Sequence, residues 1–267
     1  MTERAATKAR PGGNGTITPG RNVIAVASGK GGVGKTFFAI TLTHAIARAG
    51  QRSLLFDGDL GLANVDVHLG LNPVKNDLSR VLMGKLPLSG AVQTVDSAGF
   101  SVIAGRSGSA ALSALAPAQI TGLGRAILTL APSYDRVVLD MGAGLDRTVR
   151  TLTAHAMTNL VIINEDPTAL TDAYAFIKLT KQQRPNADLR VVVNLASSQR
   201  DGERAFGALR RACESFLGIQ VPLLGVVRRD SHVTESIRRQ SPLLVRHPNS
   251  AAAEDIEAIA NKLMEPR

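Results

Sequence analysis

Eight residues, Gly29-Lys30-Gly31-Gly32-Val33-Gly34-Lys35-Thr36, carry the spacing G-x-x-x-x-G-K-T of a loop that holds phosphate groups. Each residue type has a reason. Glycines let backbone N–H groups turn toward phosphate oxygens with no Cβ in the way. A helix that starts at the end of the loop points its positive end at the same anion. Lys35 is placed to neutralise β- and γ-phosphates, and Thr36 offers a hydroxyl to Mg²⁺. Lys30 is one lysine more than this chemistry needs. Two readings stand for it: a solvated side chain, or a cation that meets phosphate charge on another chain.

Carboxylates must complete such a site. "LLFDGDLGLANVD" supplies Asp57 and Asp59 just after an apolar run, and "RVVLDMGAG" supplies Asp140 in the same position of another. Asn194 ends "RVVVN", where its amide could read an adenine edge. Each has a plainer alternative as a cap or turn residue.

These residues need a scaffold that brings strand ends together. "VIAVA" (Val23–Ala27), "RSLLFD" (to Asp57), Phe100–Gly105, Asp135–Gly142, Asn159–Glu165, Leu189–Ala196 and Pro222–Val227 read as strands, mostly continuous apolar runs of the kind buried on both faces. Helical spacing follows the glycine loop up to a stop at Gly50, and recurs over Ile120–Leu130, Arg147–Ala156, Ala169–Gln182, Glu203–Leu217, His232–Arg239 and Ala252–Met264. The alternation predicts an α/β fold: a mainly parallel twisted sheet with helices on both faces and ligands at the carboxyl ends of its strands. Residues 1–21 are polar, basic and rich in Gly and Pro, and read as a disordered tail; residues 22–267 read as one domain.

The 267-residue chain has a formal charge of +9, which suits an acidic partner such as nucleic acid, an anionic membrane or a phosphate-rich ligand. With 3% aromatics and no Trp, it lacks a stacking platform for single strands. One cysteine, Cys213, excludes an intrachain disulfide and fits a reducing cytoplasm. No apolar run reaches the roughly 20 residues of a membrane span.

"SGKGGVGKT", with its early lysine, resembles the deviant Walker A motif of the MinD/ParA ATPases within the P-loop superfamily. "DGDLGLANVDVHLGL" (Asp57–Leu71) and "NEDPTALTDAYAFIKL" (Asn164–Leu179) are similar to the FlhG branch, also called FleN or YlxH, which controls flagellar number and placement. The resemblance runs from about Val23 to Met264. It implies a P-loop NTPase that binds ATP or ADP with Mg²⁺ and hydrolyses ATP slowly, with stimulation by dimerisation or a partner. Lys30 would reach across an ATP-dependent homodimer to the partner's nucleotide, while Lys35 serves its own. Gly29, Gly31, Gly32, Val33 and Gly34 would cradle phosphate. Thr36 and Asp140 would hold Mg²⁺, Asp57 would support the metal shell, and Asp59 would orient the attacking water beside it. Asn194 would contact adenine. The implied partners are a FlhF-like GTPase, flagellar switch proteins or a flagellar transcription activator, at the cell pole or the inner membrane face.

The sequence departs from the family at several points. Phe37 and Phe38 replace small or polar residues, and Phe37 would crowd the α-phosphate, although its backbone N–H remains available. Gly142 stands for Ala or Pro, which would loosen its turn. Arg228 stands for a proline beside the base and would stack on adenine or be solvated. The family's Asp-Gln-Ala motif for FlhF activation does not occur in the tail. The C-terminal stripe Ile256, Ile259, Ala260 and Leu263 reads as a packed helix rather than a membrane anchor, because its polar face carries acids and only Lys262. Two other function classes stand beside the flagellar switch. A ParA-like partition ATPase would bind DNA through the nine arginines between Arg200 and Arg246, set against five acids. A non-hydrolysing regulator would bind nucleotide and sequester a transcription activator.

Overall fold

The computed structural model describes residues 17–72, 76–105 and 115–265. Most of the expected tail, residues 1–16, lies outside the described residues. The first strand starts at Gly20, two residues before Asn22, because the Gly20 N–H donates to the His155 carbonyl at 2.9 Å.

Eight strands are described: β1 Gly20–Ser28, β2 Ser53–Gly58, β3 Gln93–Val95, β4 Phe100–Ile103, β5 Arg136–Ala143, β6 Ala156–Ile163, β7 Asp188–Ala196 and β8 Leu223–Arg228. They form one sheet in the order β3-β4-β2-β5-β1-β6-β7-β8. All neighbours run parallel except β3 and β4. β3 is absent from the expected strands because Gln-Thr-Val has no apolar run to mark it.

The helices are α1 Lys35–Arg48, α2 Val65–Leu69, α3 Leu78–Leu82, α4 Pro117–Leu130, α5 Arg147–Thr153, α6 Pro167–Gln183, α7 Gln199–Leu217, α8 Ser231–Arg238, α9 Leu243–Arg246 and α10 Ala251–Met264. They cover both faces of the sheet. On one face Val23, Ala25, Leu139, Val161 and Val191 meet α4, α5, α6 and α7 residues such as Ile127, Leu152, Phe176 and Leu209. On the other, Ile24, Val26, Val138, Leu160 and Val192 meet α1 and α10. The strict alternation along each strand sends successive residues to opposite cores. Each fully buried Leu, Ile or Phe contributes about 1.5–3 kcal/mol. This doubly covered sheet therefore fixes the strand ends as a rigid platform. Ile256, Ile259 and Ala260 of α10 are buried in the second core, so the terminal helix spends its apolar stripe on the sheet. Among the described residues no helix is long and apolar enough to cross a membrane.

Candidate active site

β1 lies at the centre of the sheet, between β5 and β6, and its carboxyl end opens into the glycine loop. Ser28, fully buried, donates its hydroxyl to the Lys30 carbonyl at 2.6 Å. Gly32 and Gly34 take φ of 79° and 83°, the left-handed region that turns N–H groups into the cradle. A Cβ on Gly29 would collide with the Asp172 backbone of α6, and one on Gly34 with the Asn194 amide. The loop is thus clamped from outside by α6 and β7. Nothing lies within 4 Å of where a Cβ on Gly32 would point. α1 starts at Lys35 with Gly34 as its N-cap and no capping side chain, so its first N–H groups remain free for an anion. Val33 is buried at the loop's base.

Lys35 is 8% exposed. Burial lowers its pKa, while Asp140 and Asp59 oppose that by favouring its charge. Asp57 and Asp140 are paired neighbours on β2 and β5. Burial pushes Asp57 up to about 8, with further push from Asp140. Burial likewise raises Asp140 to about 7, against the pull of Thr36 and Lys35. Thr36 faces Asp140, and among the described residues both Asp140 carboxylate oxygens are buried with no partner at hydrogen-bond geometry. A buried carboxylate with two unpaired oxygens beside a hydroxyl and a lysine is a site one ligand short.

A magnesium ion fits that site. Among the described residues no cluster of three or more His, Cys, Asp or Glu could hold a metal by itself. Mg²⁺ needs no such cluster, because it takes one or two protein oxygens and completes its shell with phosphate and water. Thr36 and Asp140 would supply the protein oxygens, with Asp59 opposite.

Asp57, expected to support the metal shell, is also a brace for the loop beyond β2. Its two oxygens accept from the N–H groups of Asp59 at 3.2 Å and Val65 at 3.3 Å. Asp57 thereby ties down the loop that carries Asp59. Asp59 in turn accepts from the Leu62 N–H at 3.0 Å. Gly142 lies beside it: a Cβ there would sit 3.4 Å from the Asp59 carboxyl carbon. A side chain at 142 would thus make ordinary contact with Asp59, and the turn is held where the Gly144 N–H donates to the Ser28 carbonyl at 2.9 Å.

Asn194 is 1% exposed and donates to the Val33 carbonyl at 2.8 Å. It braces the loop from the end of β7. A register break between Val193 and Ala196, with Leu195 at φ 58°, turns it there. Arg228 is half-buried and bound within its own chain. Its Nε donates to Asp255 at 2.8 Å and its Nη2 reaches Asp255 at 3.0 Å and Glu254 at 3.4 Å, pinning α10 to β8. Phe37 is buried with α1, α2, α8 and α9 neighbours, in a cluster with Ile40, Leu69, Val233 and Leu243. Its side chain points into the core, so the expected crowding of an α-phosphate does not arise.

Lys30 stands apart from the cradle. Its Nζ pairs with Asp166 at 2.7 Å and also donates to Thr168, both at the start of α6. Asp166 is at once the N-cap of α6, accepting from the Thr168 N–H at 2.9 Å. The Lys30 interaction, followed by the Thr168 bonds, holds Asp166 down to about 2. Sequence reasoning gave Asp166 no role. Its Asp-Pro-Thr start is a legible helix cap, but nothing in the chain marks a partner 136 residues away.

A phosphate cradle, a buried lysine at its end and the unpaired Asp140 carboxylate at a parallel strand end define a P-loop nucleoside triphosphatase. The sequence matches the CobQ/CobB/MinD/ParA nucleotide binding domain over residues 24–243, and the chain belongs to this family of P-loop ATPases. It is 36% identical to the antiactivator FleN of Pseudomonas aeruginosa, across 90% of this chain and 85% of FleN. It is 28% identical to the flagellum site-determining protein YlxH of Helicobacter pylori, across 90% of this chain and 81% of YlxH. The fold also matches MinD of Pyrococcus horikoshii complexed with Mg-ADP, with a TM-score of 0.79 at 24% identity over 92% of this chain and 96% of that one.

Proposed function

We propose that the chain is an ATP-dependent dimerisation switch that sets the number or placement of flagella. One observation carries the switch: Lys30 is held outside its own cradle by Asp166, while Lys35 alone meets the cradle's charge. A lysine at the rim of one site can serve the site of a second copy, as an arginine finger does in trans. The flagellar assignment rests on the likeness to FleN and YlxH over nine-tenths of the chain. Its acceptors would be a flagellar transcription activator, switch proteins or a FlhF-like GTPase.

Bound Mg²⁺ would supply charge to stabilise the transferring phosphoryl group. The chain's own residues do the rest. The glycine loop and the α1 N-terminus hold phosphate, and Lys35 meets its charge. Asp59, set by Asp57, orients a water. Lys30 leaves Asp166 when a second copy presents its nucleotide.

A DNA-binding switch of the ParA kind has less support. Of the arginines between Arg200 and Arg246, Arg204, Arg210, Arg228 and Arg246 are matched to Asp201, Glu214, Asp255 and Glu235 of the same chain. Light scattering tests the proposal. Asp59→Ala should be monomeric with ADP and dimeric with ATP, with hydrolysis abolished. Lys30→Ala should bind ATP and stay monomeric. A Lys30→Ala protein that dimerises normally with ATP would overturn the in-trans role.

A further inference from the structure

The edge of the sheet opposite the nucleotide loop holds a second concave site. A cavity of about 510 Å³ opens at the amino ends of β5, β1, β6 and β7. That volume is in the range of small-ligand pockets. Arg136, Arg21 and Arg190 line it from three different strands, with Ile24, Leu263 and Met264 as its apolar wall.

The pattern of the strands explains how the cavity arises. The face that packs against α1 and α10 carries Val138, Leu160 and Val192 in turn. Two residues earlier on each strand the same face carries Arg136, Thr158 and Arg190. The sheet thus changes from apolar to cationic where α10 ends, and Leu263 and Met264 close the cavity from above.

Its charges are unbalanced. Arg190 pairs with Asp188 at 3.3 Å, and the Thr158 hydroxyl donates to the same carboxylate at 2.8 Å. Among the described residues the Arg136 guanidinium donates to the Asp135 carbonyl, at 2.9 Å. Among the described residues neither Arg21 nor Arg136 has a carboxylate within ion-pair distance. Among the described residues Glu265 is the acid in the lining, and Asp188 lies outside it. The chain's first sixteen residues are no complement, with Glu3 against Arg4, Lys8 and Arg10. Two guanidinium groups without ion-pair partners, Arg21 and Arg136, gathered in one concavity are a receptor for an anion, because their planar forks match phosphoryl oxygens two at a time.

We infer that this cavity binds a phosphoryl anion, and that it does so independently of the nucleotide loop. A free phosphorylated metabolite and a phospholipid headgroup share that chemistry, and the apolar wall accepts the body of either.

The test uses the full chain saturated with Mg-ADP, so that the loop is occupied. Inorganic pyrophosphate is titrated by calorimetry, and vesicles of phosphatidylglycerol or phosphatidylcholine are tested by sedimentation. Pyrophosphate should bind one-to-one. The double variant R21Q/R136Q should lose at least tenfold in affinity while keeping its ADP affinity and melting temperature, and R211Q, on the distant α7, should change nothing. Phosphatidylglycerol binding that pyrophosphate displaces assigns a headgroup; pyrophosphate binding without vesicle binding assigns a free anion. No pyrophosphate binding, or equal binding by R21Q/R136Q and wild type, overturns the site. Because R21Q alone alters a side chain on the exposed rim, the same loss in that single variant separates lost recognition from lost folding.

Discussion

Asp57 and Asp140 are side by side on β2 and β5, and their burial sets how the empty site responds to pH. The folded chain keeps protons that the unfolded chain releases above about pH 4. That contribution to stability is complete below this pH and is lost as pH rises through the folded values of about 7 and about 8. His44 acts in the opposite sense. Burial holds it at about 4, so its contribution is lost as pH falls from 6.5. The two effects oppose each other in mild acid, and above pH 6.5 the carboxylates dominate. Nucleotide-free protein should therefore lose on the order of 1–2 kcal/mol between pH 6.5 and 8. Urea denaturation at the two pH values measures this, and Asp140→Asn should flatten the difference. Stability that rises across the interval would show that the carboxylates are already ionised. Mg²⁺ binding should tighten over the same range, because the metal displaces the proton. The Lys30–Asp166 pair has no part in this response, since Asp166 gains its proton only near pH 2.

At the level of elements, what the sequence made legible follows from burial. β1, β2, β5, β6 and β7 are covered on both faces, so their apolar runs stand out, and the phosphate loop and acids at their ends could be placed from spacing alone. α2, α3 and β3 are three to five residues long and carry no full period to read. The strand-end position of Asn194 is legible, but its bond to Val33 is not, because the break at Leu195 is a tertiary adjustment with no local signature. Phe37 shows the same limit. Spacing put it beside phosphate, whereas the helix turns its side chain toward α2, α8 and α9. A small cavity beside it is lined by Thr41, His68, Ser236 and Leu243. The Gln240 amide, donating to the Val67 carbonyl at 3.0 Å, ties the α8–α9 turn to α2. Phe37 thus joins the helix that starts at the phosphates to the segment following Asp59. Phe37→Ala should cost about 3–5 kcal/mol of stability in urea denaturation. ADP affinity should fall by no more than roughly threefold, because phosphate is met by the backbone N–H. A collapse of ADP affinity at unchanged stability would place the side chain at the nucleotide instead.

For the whole molecule the decisive question is whether one fold holds a complete active site. Lys35, Thr36, Asp59 and Asp140 converge from α1, β2 and β5 of a single chain, but Lys30 is bound to α6 on the rim. If Lys30 acts on a second copy, each protomer gives its partner one residue and takes the same residue back, as a two-fold arrangement requires. Two inactive variants should then rescue each other. Lys30→Ala keeps its own Asp59 but has no lysine to lend. Asp59→Ala lends Lys30 but cannot orient water. In a mixed dimer the Lys30→Ala protomer holds an intact Asp59 and receives Lys30 from its partner, while the other site stays dead. Lys30→Ala does not pair with itself, so activity comes from mixed dimers alone, each with one working site of two, and at most about half of the wild-type rate should return. Steady-state ATP hydrolysis across a series of mixing ratios measures this, and the rate should peak at an intermediate ratio and vanish at both ends. If Lys30 serves only its own nucleotide, every mixture remains as inactive as its components.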